Sequence, residues 1–262
     1  MTDQPYLAKI WLFPIKSLDP IAVDRAEIAP SGALLGDRQF ALFDQQGRYI
    51  NGKNNPLVHR IRTRYDLANR LVTLGIQGEQ QTVTLHLDRQ RRELEQWFSD
   101  FLHQPVELRQ NLTAGFPDDT DSPAATIVSL ATLETVQSWF PDLSLEQIRL
   151  RFRTNLEIAG VPPFWEDRLY GISVQIGAVT FWGTNPCQRC PVPRRDPFTG
   201  EPYPQFVKIF TQHRRATLPP WADPSRFNHF YRLTVNTRVP PSEVGKTLQV
   251  GDAVQLQSPQ IR

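Results

Sequence analysis

Both cysteines of the 262-residue chain fall in one short run, Asn185-Pro-Cys187-Gln-Arg189-Cys190-Pro-Val-Pro-Arg194-Arg195-Asp196. A thiolate is a soft metal ligand and a strong nucleophile, so chemistry is sought here first. Structural zinc would need a second set of protein ligands. The five histidines (His59, His86, His103, His213, His229) show no close His–His spacing to supply it. A thioredoxin-like couple would place its first cysteine at a helix N-terminus. Pro191 and Pro193 stand directly beyond Cys190, and a residue before proline is pushed away from helical angles. That reading weakens. A buried pair of small apolar thiols is the plain alternative, but Asn185, Gln188, Arg189, Arg194, Arg195 and Asp196 make the run too polar for a core strand. The fourth reading is one thiolate ligand in a proline-stiffened loop, with Arg189 as a counter-charge and arginines shaped for a phosphate or delocalised anion. A single thiolate is too little for a bare metal ion. It suits an anionic organic cofactor that brings most of the metal's ligands itself.

The elements that must position this run are short. Twenty-three prolines against fourteen glycines favour brief segments, because proline fixes φ and removes a donor. Strands are expected over Ala8–Phe13, Asp37–Phe43, Leu71–Ile76, Val83–Leu87, Ala125–Ser129, Leu156–Ala159, Ile172–Ile176, Val179–Trp182, Phe230–Val235 and Val254–Leu256, with an extended piece over Pro105–Leu108. Leu94, Trp97, Phe98, Phe101 and Leu102 form an apolar stripe that predicts a helix over Arg91–His103, with Asp88 or a neighbour as its cap. Leu133, Val136 and Phe140 mark a second helix and Pro204–His213 a third. The fold class is therefore α+β, strand-dominated and barrel-like. The polar, turn-rich stretch Asn111–Pro123 divides the chain into residues 1–115 and 116–262. A net charge of +2 excludes a broad duplex-binding or membrane-seeking surface. The apolar run Ile10–Ile15 is broken by Pro14 and too short to span a bilayer, so a cytoplasmic chain with no targeting segment is expected.

In this setting the sequence resembles the MOSC-domain family. Cys187-Gln-Arg-Cys190 followed by Arg195-Asp-Pro-Phe-Thr-Gly-Glu201 is similar to that family's signature. Phe13-Pro-Ile-Lys-Ser17 resembles the motif opening its N-terminal β-barrel domain, and Gly36-Asp-Arg-Gln-Phe-Ala-Leu42 resembles its Asp-Arg motif. Arg151-Phe-Arg-Thr-Asn155 and Val250-Gly-Asp-Ala-Val254 are similar to its Arg-Phe-Arg-x-Asn motif and closing turn. Five such motifs in order cover nearly the whole chain. The resemblance implies an N-terminal β-barrel-like domain over 1–115 and a MOSC domain over 116–262. It implies a molybdenum cofactor, Mo-molybdopterin, with Cys190 as metal ligand; the residues alone do not choose it over Cys187. It also implies that Lys16, Ser17 and Arg38 bind the cofactor's phosphate and pterin, with Arg153, Asn155 and Arg189 contributing. Asp121-Ser122-Pro123 is similar to a family loop near the pterin and adds Ser122. Family descriptions also mention pyridoxal phosphate binding.

What the resemblance implies about activity is a molybdenum-dependent reductase of N-oxygenated small molecules such as amidoximes. Arg189, or an acid such as Asp196 or Glu166, is the candidate to manage protons. The family's mitochondrial members carry a membrane anchor and some bacterial ones an iron–sulfur domain. Here no cysteine follows Cys190, whereas an iron–sulfur cluster needs about four. Electrons are therefore expected from a separate flavin or iron–sulfur protein, with no membrane partner. The alternative is a cofactor carrier or sulfur-handling protein without turnover. A nucleic-acid partner is not expected. Arg189, Arg194, Arg195, Arg214 and Arg215 interleave with Phe198, Tyr203, Phe206 and Phe210 as single-strand platforms do, but helical spacing accounts for Phe206 and Phe210 as core residues.

Overall fold

The computed structural model describes residues 4–257. In chain order the strands are β1 (Tyr6–Leu12), β2 (Ile21–Val23), β3 (Arg25–Glu27), β4 (Phe40–Phe43), β5 (Tyr49–Ile50), β6 (Ile61–Asp66), β7 (Leu71–Ile76), β8 (Thr82–His86) and β9 (Glu107–Gln110). They continue as β10 (Ile127–Ser129), β11 (Leu156–Ala159), β12 (Ser173–Ile176), β13 (Val179–Gln188), β14 (Arg232–Arg238), β15 (Thr247–Gln249) and β16 (Val254–Leu256). The helices are α1 (Arg91–Leu102), α2 (Leu130–Ser138), α3 (Leu145–Phe152) and α4 (Phe206–Ala216). The architecture is the expected strand-dominated α+β.

The largest sheet has eight strands in the order β16-β12-β13-β14-β10-β11-β1-β2, with β10 and β11 parallel. Its ends come back together. Leu7 N donates to Asp252 O at 2.8 Å, Val254 N to Pro5 O at 2.9 Å, and Tyr6 bridges to Ala253. The sheet thus curls until β1 meets the approach to β16, as twisted strands with one buried face must do to bury it. Leu7, Ile10, Leu156, Ile158, Val174, Ile176 and Phe181 fill its interior. A second core lies between the three-stranded sheets β5-β4-β9 and β6-β7-β8 and the Leu94, Phe98 and Leu102 face of α1. A third packs α2, α3 and α4 together through Val136, Phe140, Ile148, Phe152, Phe206 and Phe210.

Several elements depart from the sequence expectation for local reasons. The strand expected from Asp37 begins only at Phe40, because residues 37–39 form a turn in which Arg38 takes φ +48°. Asp88 does not cap α1. Its carboxylate is drawn off to Arg70 at 2.7 Å, and Gln90 stands at the cap position without a side-chain bond. Residues 145–152, for which the sequence reading gave no element, form α3. Ser144 and Gln147 close a capping box there, at 3.2 and 2.9 Å. The strand expected over Val179–Trp182 runs on to Gln188 and carries Cys187 within it, despite the polarity of that stretch. Bulges between Gly183 and Asn185 and between Pro186 and Gln188 absorb the misfit. A β-carbon on Gly183 would fall 2.0 Å from Leu169 O, so only glycine lets β13 pass there.

Candidate functional site

A cavity of about 580 Å³ opens between the first half of the chain and the cysteine run. Lys16, Ser17, Arg38, Ser122, Arg153, Asn155, Arg189 and Cys190 all line it, as does Cys187. One dense fold brings together residues spread from 16 to 190.

The first wall comes from the turn after β1. Lys16 N donates to Phe40 O at 2.8 Å, which fixes the turn against β4. Ser17, Arg38 and Arg153 each hold a left-handed backbone, at φ 72°, 48° and 52°. Non-glycine residues bear that cost where the surroundings over-determine it. Burial lowers the Lys16 pKa, with Asp118 opposing the shift. The Lys16 ammonium donates to Phe116 O at 2.8 Å and to Asp118 at 2.9 Å. Lys53 approaches the same carboxylate at 3.4 Å. Burial works against the Asp118 charge, but Lys16, Arg38 and Lys53 together hold its carboxyl well below the usual range. Arg38 pairs with Asp37, whose other oxygen accepts from Phe13 N at 2.8 Å. Arg153 stacks on Phe13 at 4.2 Å, and burial together with repulsion from Arg38 pushes it down to about 10. Its Nη2 is sealed and has no hydrogen-bond partner among the described residues.

The second wall is the cysteine run. Arg189, just beyond the end of β13 and its last bulge, donates to Cys187 Sγ at 3.1 Å rather than to Cys190. Its other amine donates to Phe152 O. The counter-charge expected for Cys190 therefore sits on its neighbour. Beyond Cys190 the chain turns back on arginines. Arg151, 2 % exposed, donates to Pro193 O at 3.0 Å and also to Arg195 O. Arg62, from β6, donates to Pro197 O at 3.1 Å.

Two expected residues serve other ends. The Asn155 amide is spent inside the protein, accepting from Thr126 Oγ1 at 3.2 Å and donating to Trp11 O at 3.1 Å. It braces β11 to β1. Ser122 Oγ shares a 3.0 Å bond with Thr184. Of the proton candidates Arg189 lines the cavity and neither acid does. Glu166 is buried among Ser129 and Thr132, and burial beside Asp167 pushes it up to about 8. Asp196 caps its own turn, accepting from Phe198 N at 2.9 Å and Thr199 N at 3.0 Å. Only the end of the arginine–aromatic segment is helix α4, with Phe206 and Phe210 in the core and Arg214 paired to buried Asp167. The sequence reading missed Asp19, His59, Asp118 and Asp119, which also line the cavity. Among the described residues no three His, Cys, Asp or Glu side chains cluster so as to hold a metal ion. No helix of the described residues is long and apolar enough to cross a membrane.

Comparison with known proteins gives this arrangement its family. The MOSC N-terminal beta barrel domain matches residues 4–105 and the MOSC domain matches residues 119–255. The chain belongs to the MOSC family. It is 24% identical over 259 residues to the molybdenum cofactor sulfurase of Homo sapiens, covering 81% of this chain and 29% of that protein. The sulfurase of Caenorhabditis briggsae is also 24% identical, over 231 residues, covering 80% and 32%. The mitochondrial amidoxime reducing component 2 of Bos taurus is 25% identical over 237 residues, covering 74% and 67%. The chain thus spans about a third of the length of the sulfurases it matches.

Proposed function

We propose that the protein binds a molybdenum cofactor through the Cys190 thiolate and reduces N-oxygenated compounds such as amidoximes. The observation that supports this reading is the convergence of two thiols with Lys16, Arg38 and Arg153 in one cavity. The donor set fits an anionic organic group that carries its own metal. The thiols suit a soft metal, no cluster of protein ligands is placed to complete a metal site alone among the described residues, and sealed Arg153 Nη2 still wants an acceptor. Lys16, Ser17 and Arg38 would hold the phosphate, Arg153 would hold the pterin side and Cys190 the metal. When bound, the group supplies two-electron chemistry; the protein binds, orients and screens it from water.

Reducing equivalents come in this reading from a separate flavin or iron–sulfur protein. A cytoplasmic setting belongs to it too, since two free cysteines persist in a reducing compartment. The sulfurase relatives keep one alternative in play, a cofactor carrier or sulfur-handling protein without independent turnover. Metal analysis and assay separate the two. Cys190→Ala is expected to lose stoichiometric molybdenum and all turnover of benzamidoxime with a chemically reduced donor. Full molybdenum and activity in that variant would overturn the proposal. Molybdenum bound by the wild type with no turnover would leave the carrier.

A further inference from the structure

The cavity has many donors and few free acceptors. Its carboxylates are engaged already. Asp19 accepts from Thr63 N at 2.8 Å and faces Arg62 at 3.2 Å. Asp37 serves Arg38 and Phe13, Asp118 serves Lys16 and Lys53, and Asp119 accepts from Ser122 N and Asn236. His59 is different. It sits in the short turn Pro56–Arg60, 9 % exposed, with its ring against the loop at Gly52. Its Nε2 lies 3.1 Å from Gly52 O. A carbonyl only accepts, so Nε2 carries the hydrogen and the other ring nitrogen of the neutral imidazole is a bare lone pair. Nδ1 has no protein partner among the described residues and is not sealed. The arrangement depends on glycine. A β-carbon at Gly52 would lie 2.7 Å from Nε2.

We infer that His59 Nδ1 is the acceptor by which this cavity selects ligands carrying an N–H or O–H donor. Among N-oxygenated substrates it favours N-hydroxylated compounds, whose hydroxyl donates, over N-oxides, whose oxygen only accepts. The inference rests on the reductase reading and deepens it. Burial is the largest influence on the ring and disfavours imidazolium. Arg153 beyond α3, Arg195 on the cysteine run and Arg62 on β6 add repulsion, while the Gly52 bond opposes it. His59 is thus kept neutral, as an acceptor must be. Nothing in the sequence distinguishes it, since it lies in no motif and gains its role only from the fold.

The experiment compares benzamidoxime with pyridine N-oxide in molybdenum-loaded wild type and His59→Phe. It adds nitrogen NMR of the histidine ring in labelled wild type. The ratio of the two KM values is expected to move about tenfold against benzamidoxime in the variant, the worth of one hydrogen bond left unmade. The N-oxide arm reports whether the variant is folded. In the wild type the Nδ1 resonance should be that of a bare nitrogen at neutral pH and should shift when benzamidoxime is added. An unchanged KM ratio, a protonated Nδ1 at rest or a resonance that ignores benzamidoxime overturns the inference. If Nδ1 responds but the wild type turns over neither compound, the reductase reading fails and the acceptor assignment stands. If neither turnover nor response is seen, both fall.

Discussion

The two walls of the cavity are both rich in positive charge, yet they use it in opposite ways. On the first wall Lys16, Arg38 and Lys53 face aspartates of the protein itself, Asp37 and Asp118. Of these partners Asp118, its side chain 57 % exposed at its pairing with Lys16, is the one a ligand anion can replace, whereas Asp37 is buried against Arg38 and also accepts from Phe13 N. On the second wall Arg151, Arg62 and Arg189 spend donors on main-chain oxygens of Pro193, Pro197 and Phe152, in addition to the carboxylates of Asp196 and Asp19 that face the first two. Those arginines hold the cysteine run in shape. Charge counted from sequence treats the two walls alike; only the partner of each guanidinium tells a binding group from a brace.

The contrast is broken most directly by removing a brace. Arg151→Met strips the donors from Pro193 O and Arg195 O in a buried site. Lost charged hydrogen bonds and stranded carbonyls there are expected to cost about 3 kcal/mol in denaturant unfolding. A change under about 0.5 kcal/mol, the range of ordinary surface substitutions, would mean the arginine is not structural.

A charge with no replaceable partner sharpens the comparison next. Glu166 has no cation to itself, because Arg214 is taken by Asp167. Its folded pKa is raised above the ordinary 4.5, to about 8. The folded state then holds a proton that the unfolded state has released, so stability is fully present below about 4.5 and falls as pH rises toward 8. Glu166→Gln should abolish that fall. It should exceed the wild type by on the order of 4 kcal/mol at pH 8 and converge with it near pH 4.5. Parallel stability–pH curves for the two proteins would refute the buried-proton account.

The smallest effects test the first wall. Lys16→Met should weaken pyrophosphate binding to the cofactor-free protein about tenfold in calorimetry at low salt. Asp118→Asn should strengthen it about threefold by freeing Lys16 and Lys53. If Asp118→Asn instead weakens binding, the aspartate belongs to the anion site and the two walls do not differ as described.

Much of this was legible beforehand where chemistry and periodicity coincide. The stripe of α1 appears over the expected residues, Leu156–Ala159 and Val254–Leu256 are strands as read, and eight residues named from motifs do line one cavity. What escaped was the direction of side chains. Arg189 stands beside Cys190 in sequence but donates to Cys187, across the bulge that ends β13. Asn111–Pro123 read as an exposed boundary, yet its Asp118 and Asp119 form the mouth of the cavity. Glu166 and Asp196 had suitable chemistry and the wrong address. Helix α3 was announced by Ser144 and Gln147, a signal hidden because Ile148, Leu150 and Phe152 alternate with Arg149 and Arg151.

The curled sheet carries a consequence for anyone who would dissect the protein. Residues 6–12 are stitched on one side to Leu156–Ala159 and on the other to residues 251–254. A gene trimmed to the stretch 119–255 that matches the MOSC domain would therefore encode a seam with one thread pulled out. Bare backbone along Leu156–Ala159 would then invite foreign strands. Supplying Tyr6–Leu12 as a separate peptide is the natural way to mend it.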